Sequence, residues 1–582
     1  MSPTALVWSF VWRRKWGYLA AIIAVGIGEF FRVRIPHILG HFVNRLKTGT
    51  MTEHAILGFV VELIMVAAVF VLAIGYAQTQ IGRLGRTFEF EMRQTLFSHW
   101  ETLSSSYFQR HSIGDLLNHT LNDVTAVRQA LSRGMNQISQ ALFLFAATLF
   151  MSIRTINVSL TLLSLIPILG IPVVIAIIRP EVRSRSRQVQ EALSDMSALA
   201  EESFRAIRLI KATSNEPVEY ERFIQLTQTV VDRQMSLVRL NTLFQSLIPL
   251  LNGLGFTVGL VYGGWLVIHG TISLGSFVAF TIYLSMLVQP LTQFGVVINT
   301  FQNASASVLR LQVLLAVEPD IRDPKCPVER DRWEADLEVR DLTFTFPGGA
   351  KPTLSHISFK IPQGKTLGIV GRTGSGKTAL LNLILRDYDA PPGTIFFGGV
   401  DIRDMRLGDL RREIAYVPQD GFLFSTTIGE NIAFSRAVVV PTEVERAAAQ
   451  SHILETIRGF PSGINSEVGE RGIMLSGGQR QRTAIARALI KSEARLLILD
   501  DSLSAVDAGT ETEIIQVLRK IRGEKTTVIA AHRLSALRDA DWIIVLDQGQ
   551  IVERGVHGDL IRQNGLYAEL FQIQAGGAVA DA

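Results

Sequence analysis

The sequence predicts a multi-domain membrane protein, an all-α domain of six transmembrane helices followed by an α/β domain. Three observations carry that prediction. Hydrophobic residues make up 48% of the 582-residue chain and mean hydropathy is +0.27, yet the apolar tracts concentrate in 17–310 and the chain beyond 320 reads as an ordinary soluble domain. Six apolar stretches come close to the roughly 20 residues that a helix needs to cross a hydrocarbon layer about 30 Å thick. A buried-strand pattern, Thr366-Leu367-Gly368-Ile369-Val370-Gly371, runs through a glycine-rich loop directly into a helical pattern. The expected boundaries are 1–318 for the membrane domain, 319–335 for a linker, 336–575 for the α/β domain and 576–582 for a flexible tail.

The membrane half comes first. Candidate spans fall near 17–39, 55–80, 136–154, 158–178, 243–268 and 273–297. Arg13, Arg14 and Lys15 precede the first, and no small-residue cleavage site follows, so it is expected to be a retained helix. Stretches 83–135 and 189–237 carry apolar residues at three and four spacing (Phe97, Trp100, Leu103; Val189, Leu193, Met196), so spans two to five are expected to continue as helices beyond the bilayer. Both stretches are rich in Arg and Lys, which places them, and both termini, on the cytoplasmic side of the cell membrane. Glu29, Arg32, Arg34 and Glu62 lie within the first two spans, where a charge either faces a substrate path or pairs within the bundle. The net charge of +4 has no basic stripe behind it, so nucleic acid is not expected as a partner. The single cysteine, Cys326, stands in a polar linker away from any second thiol, which excludes an intrachain disulfide.

In the second half, Gly371-Arg372-Thr373-Gly374-Ser375-Gly376-Lys377-Thr378 fits the phosphate-binding pattern G-x-x-x-x-G-K-[ST] between a strand and a helix. Glycines let backbone N–H groups turn toward phosphate oxygens, and the helix N-terminus adds a favourable dipole. Lys377 is expected on the β- and γ-phosphates of ATP and the Thr378 hydroxyl on Mg²⁺. A second apolar run, Leu496-Leu497-Ile498-Leu499, ends in Asp500, where a carboxylate beside the phosphate loop holds Mg²⁺.

That much is common to many nucleotide-binding proteins, and the next residues narrow it. Leu475-Ser476-Gly477-Gly478-Gln479, opening a helical run, resembles the signature motif of the ATP-binding-cassette (ABC) ATPases. The resemblance implies a dimer in which Ser476, Gly477, Gly478 and Gln479 meet the γ-phosphate of a nucleotide held by the opposite subunit. Other motifs follow in the family's order. Phe346 resembles the aromatic that stacks on adenine, and Gln419 the residue that meets Mg²⁺ and faces the membrane domain. Glu467-Val468-Gly469-Glu470-Arg471-Gly472 is similar to a segment found in exporters. Asp507, in Ser504-Ala505-Val506-Asp507, resembles the D-loop aspartate, and His532 the switch histidine on the γ-phosphate. Tyr107-Phe108 with Gly114-Asp115-Leu116 and Asn122-Asp123-Val124 resembles the first intracellular loop of exporters, and Ala200-Glu201-Glu202 with 207–212 the second. The chain is thus similar to an ABC exporter half-transporter, which implies ATP hydrolysis coupled to transport of amphipathic small molecules or lipids.

One residue departs from the pattern. Most active members of the family carry Glu after the Mg²⁺-binding Asp, and this chain carries Asp501. The carboxylate retreats by roughly 1 Å, a displacement that can cost on the order of 100-fold in rate. The string Asp500-Asp501-Ser502-Leu503-Ser504-Ala505-Val506-Asp507 resembles the degenerate-site subunit of heterodimeric bacterial multidrug exporters. The expectation is a chain whose own catalytic set (Asp501, His532, Gln419) is weak and whose partner is a second half-transporter. A homodimeric exporter or lipid flippase is the alternative, with an ATP-gated sensor or channel behind it. A chromosome-type ATPase is excluded because the interval between Thr378 and Asp500 holds no sustained heptads.

Overall fold

The structure is a computed structural model that describes residues 3–49, 51–330, 332–469, 475–504, 506, 508–521 and 525–580. It divides into two compact units, Met1–Glu101 with Ser112–Val317, and Thr102–His111 with Glu318–Ala582.

Six long helices build the first unit: α1 (Lys15–Lys47), α2 (Glu53–Glu101), α3 (Met135–Thr155), α4 (Val158–Arg205), α5 (Glu216–Ile268) and α6 (Leu274–Leu315). At about 1.5 Å per residue, α2, α4, α5 and α6 reach roughly 60–80 Å, about twice the hydrocarbon thickness. α3 is prolonged backwards to Ile113 by helical segments joined through π-type turns at His119–Asp123 and Ala130–Gly134. These five are long and apolar enough to cross a membrane. α1 is shorter, at 33 residues, and Glu29, Arg32 and Arg34 interrupt its apolar run.

Those charges pair with one another. Glu29, only 1% exposed, lies 3.4 Å from Arg32, which also donates to Gln289 Oε1 at 3.1 Å, and Arg34 stands 3.9 Å from Glu62. α1 and α6 meet where neither helix has room for a side chain. A Cβ on Gly275 would sit 1.9 Å from the Gly40 carbonyl oxygen, and Asn44 Oδ1 accepts the Gly275 N–H at 2.8 Å. Further along the same pair, the Tyr283 hydroxyl donates to the Val33 carbonyl at 3.1 Å. In the polar extensions, Asp123 is buried and accepts from Ser307 Oγ (2.8 Å), Arg310 Nε (3.1 Å) and His119, whose Nδ1 is 2.6 Å away.

In the second unit, β1 (Leu337–Phe344), β2 (Leu354–Ile361), β4 (Ile395–Phe397) and β5 (Val400–Asp401) form an antiparallel sheet in the order β2-β1-β4-β5. The larger sheet runs β10-β9-β3-β8-β7-β6, from β3 (Thr366–Gly371), β6 (Ile414–Val417), β7 (Leu496–Asp500), β8 (Thr526–Ala530), β9 (Trp542–Asp547) and β10 (Gln550–Gly555). It is parallel from β9 to β6, with β10 antiparallel at one edge. Every residue of β3, β7 and β8 is buried, as expected for strands covered on both faces. Thr102–His111 joins this unit through specific bonds: Ser104 and Ser106 donate to Asp320 Oδ2 at 3.0 and 2.9 Å, and the Tyr388 hydroxyl donates to Gln109 Oε1 at 2.9 Å. Arg386, 2% exposed, holds the incoming linker by donating to the Arg322 carbonyl at 2.8 Å while pairing with Asp389.

Candidate functional site

The site gathers at the carboxyl ends of the central parallel strands, where open α/β sheets bind their ligands. β3 delivers Gly371, the Arg372–Gly376 loop follows, and α7 (Lys377–Ile384) begins at Lys377. The loop needs its glycines: a Cβ on Gly371 would lie 2.1 Å from the Leu546 carbonyl oxygen, and Gly374 and Gly376 take φ of +82° and +102°. Arg372 leaves the loop to pair with Glu569 at 3.0 Å, and Thr373 is exposed. Ser375 Oγ is buried with no hydrogen-bond partner among the described residues. Lys377 is 8% exposed and curls back so that Nζ donates to the Gly371 and Arg372 carbonyls at 2.8 and 3.2 Å. Burial pushes its ammonium below the ordinary range, against the pull of Asp501 and Asp500. An orphaned hydroxyl, a glycine cradle and a desolvated lysine all fit a polyphosphate.

Asp500 ends β7 at 3% exposure and pairs in register with Ala530 of β8. Burial raises its carboxyl above the usual range; the Thr378 hydroxyl opposes this by hydrogen bonding, and the adjacent Asp501 adds to it. Two neighbouring carboxylates and a hydroxyl in a low-dielectric pocket suit a divalent cation, which removes both penalties at once. Asp501 takes φ of +45°, donates its N–H to the Ala530 carbonyl at 2.7 Å and accepts the His532 backbone N–H on Oδ1 at 3.1 Å. Its carboxylate is therefore tied to the loop that carries His532.

The structure places the other expected residues less tightly. Phe346, just beyond β1, is half-buried and packs edge-on against Phe344 and Tyr388, with ring centroids 5.1 and 5.0 Å away. Gln419 is exposed beyond the end of β6. Ser476 caps α8 (Gly477–Leu489): its side chain accepts the Gln479 N–H at 3.3 Å, and Gln479 Oε1 accepts the Ser476 N–H at 2.9 Å, with Gly478 in the first turn. No hydrogen bond or ion pair joins Ser476–Gln479 to the phosphate loop among the described residues. Asp507, Ala505 and Glu470-Arg471-Gly472 lie outside the described residues. Three residues at the site have no motif to announce them: Tyr388 behind Phe346, Glu511 beneath the His532 loop, and Gln574 against that loop.

Residues 18–291 match the model for the ABC transporter transmembrane region and 354–504 the model described as ABC transporter. The chain belongs to the ABC transporter family. Over 99% of both chains it is 35% identical to the "Probable multidrug resistance ABC transporter ATP-binding/permease protein YheI" of Bacillus subtilis (strain 168). It is 33% identical to the multidrug resistance-like ATP-binding protein MdlA of Escherichia coli (strain K12), covering 98% of this chain and 97% of that one. An ATP-dependent lipid A-core flippase of Pseudomonas fluorescens (strain Pf0-1) is 34% identical over 95% of this chain and 93% of its own length. Among solved structures, a bacterial Atm1-family ABC exporter with ATP bound superimposes with a TM-score of 0.78 at 26% identity, covering 97% of this chain and all of that one. The half-transporter is a multi-pass membrane protein with an ATP-hydrolysing domain, built as an exporter.

Proposed function

We propose that this half-transporter moves amphipathic molecules out of the cytoplasm as the weak-site subunit of a heterodimer. Relatives named for multidrug resistance and for lipid A-core flipping support amphipathic cargo. The single observation behind the weak site is Asp501, whose short carboxylate bonds the His532 backbone N–H at 3.1 Å. A Glu there has one more methylene with which to reach an attacking water. ATP binds across the phosphate loop, with Thr373, Gly374, Ser375, Gly376 and Lys377 on the phosphates and Phe346 on the adenine. Asp500, Thr378 and Gln419 would hold Mg²⁺, which would neutralise charge on the phosphates. His532 meets the γ-phosphate. Ser476–Gln479 of this chain serves the partner's nucleotide, because a capped helix N-terminus is a ready anion site. Both termini and the two helical extensions lie in the cytoplasm, and the exposed apolar tip Phe204, Ile207 and Leu209 is where the second subunit's ATPase domain docks.

The lipid-flippase reading stays as the second one, favoured by the flippase relatives. Inside-out vesicles bearing the chain and whatever half-transporter co-purifies with it separate the two. ATP-dependent accumulation of a fluorescent lipophilic cation, lost in Lys377→Ala, is the expected result. ATP-dependent flipping of a labelled phospholipid with no dye accumulation selects the flippase. Co-purification of this chain with itself alone overturns the heterodimer.

A further inference from the structure

The last helix, α10 (Leu566–Ala580), makes contacts at the ATP site that the sequence motifs do not contain. Its start is anchored firmly. Tyr567 is fully buried, and the Glu553 carboxylate from β10 accepts the N–H groups of Leu566 and Tyr567, the latter at 3.2 Å. A negative group at a helix N-terminus is favourable both as a hydrogen-bond acceptor and toward the helix dipole. Tyr567 also lies 2.8 Å from His557 Nδ1 through its hydroxyl. From that anchor the helix reaches two places. Glu569 pairs with Arg372 of the phosphate loop at 3.0 Å. Two turns beyond Tyr567, Gln574 presents its amide to the switch loop: Nε2 donates to the His532 carbonyl at 2.6 Å, and Oε1 accepts the Leu534 N–H at 3.0 Å.

The same loop is gripped from its other side. Glu511 of α9 (Ala508–Ile521), only 3% exposed, accepts from Ser535 Oγ at 2.5 Å and from Arg533 at 3.1 Å, and Arg533 also donates to the Val506 carbonyl at 3.0 Å. Residues 532 and 534 are thus held through their backbone by Gln574, and 533 and 535 through their side chains by Glu511. A cleft of about 800 Å³ lies between the two helices, lined by Glu511, Arg519, His532, Phe571 and Gln574. Take away the Gln574 amide and His532 loses the bond on its own carbonyl.

We propose that Gln574 is a positioning residue for the nucleotide site, its amide setting the switch loop so that the His532 ring faces the γ-phosphate. This rests on the reading that His532 senses that phosphate. The test measures affinities for ATPγS and for ADP, each with Mg²⁺, on the full chain in lipid nanodiscs. Four proteins are compared: wild type, His532→Ala, Gln574→Ala and Gln574→Glu. The glutamate keeps the size of the side chain and its acceptor but removes the donor to the His532 carbonyl. A role confined to helix packing would therefore survive it. The expected result is that His532→Ala and both Gln574 variants bind ATPγS about 3- to 10-fold more weakly, the scale of one or two exposed hydrogen bonds, with ADP affinity unchanged. Melting temperatures within a degree or two of wild type confirm that the helix stays docked; a variant that melts early is replaced by Gln574→Met. Wild-type selectivity in Gln574→Glu alongside a lowered selectivity in His532→Ala overturns the proposal. Unchanged selectivity in His532→Ala overturns the underlying reading of the histidine instead.

Discussion

Lys377 and Asp500 are buried charges whose folded environment works against their ionised forms, which is why both should reveal ligands so clearly. Among the described residues, Lys377 sets two backbone carbonyls and the pull of Asp501 and Asp500 against its desolvation. Replacing it with Ala removes one charge-assisted interaction with phosphate, about 1.5–3 kcal/mol or roughly 10- to 150-fold in ATP affinity, measurable by direct binding. Asp500 makes a prediction with a pH sign. Its carboxyl is raised by burial and by Asp501, so the folded chain binds that proton more tightly than the unfolded chain. Without Mg²⁺ and nucleotide, stability then falls as pH rises through the interval between the unfolded and folded values. Asp500→Asn should melt higher than wild type without ligand at neutral pH and lose the stabilisation that Mg²⁺-ATP brings. An unliganded wild type that melts higher than the variant would contradict this account of the site.

At the scale of elements, a buried carboxylate with several polar partners ties the long helical extensions together. Asp123, in the π-type turn before α3, is buried and takes bonds from Arg310 and Ser307 of α6 and from His119. Arg310→Ala leaves that carboxylate without its cation, and the expected cost is about 1–3 kcal/mol because Arg310 itself is half-exposed. The double variant with Asp123→Asn should recover part of the loss, since it also removes the stranded charge; a melting series in nanodiscs reads both. Element existence was legible from hydropathy: the six spans, the turn around His269–Thr271 and the strand before Lys377 all follow from local patterns. Residues Thr102–His111 were not legible as part of the α/β unit, because Gln109 finds Tyr388 across 279 positions and no local pattern encodes such a partner. The π-type turns were equally silent, since one extra residue in a turn barely disturbs helical periodicity.

On the scale of the whole molecule, the candidate site divides the same way. Phosphate loop, Asp500, Asp501 and His532 were readable because each sits at a strand end with its chemistry written in neighbouring residues. Gln574 and Glu511 reach the His532 loop from helices whose sequences carry no motif, so only the fold reveals them. The intramembrane charges were open between a substrate path and internal pairing; Glu29 with Arg32 and Arg34 with Glu62 are found paired. What unites the molecule is ATP turnover driving the membrane domain, and the claim most particular to this chain is that its own turnover is slow at Asp501. Mg²⁺-ATPase rates of the purified chain in nanodiscs, wild type against Asp501→Glu, test that most directly. Negligible wild-type turnover that rises on the order of 100-fold in the variant is the predicted result. Brisk turnover by the isolated wild type, unchanged or lowered by Glu, would contradict it and make Asp501 a working base in a homodimer.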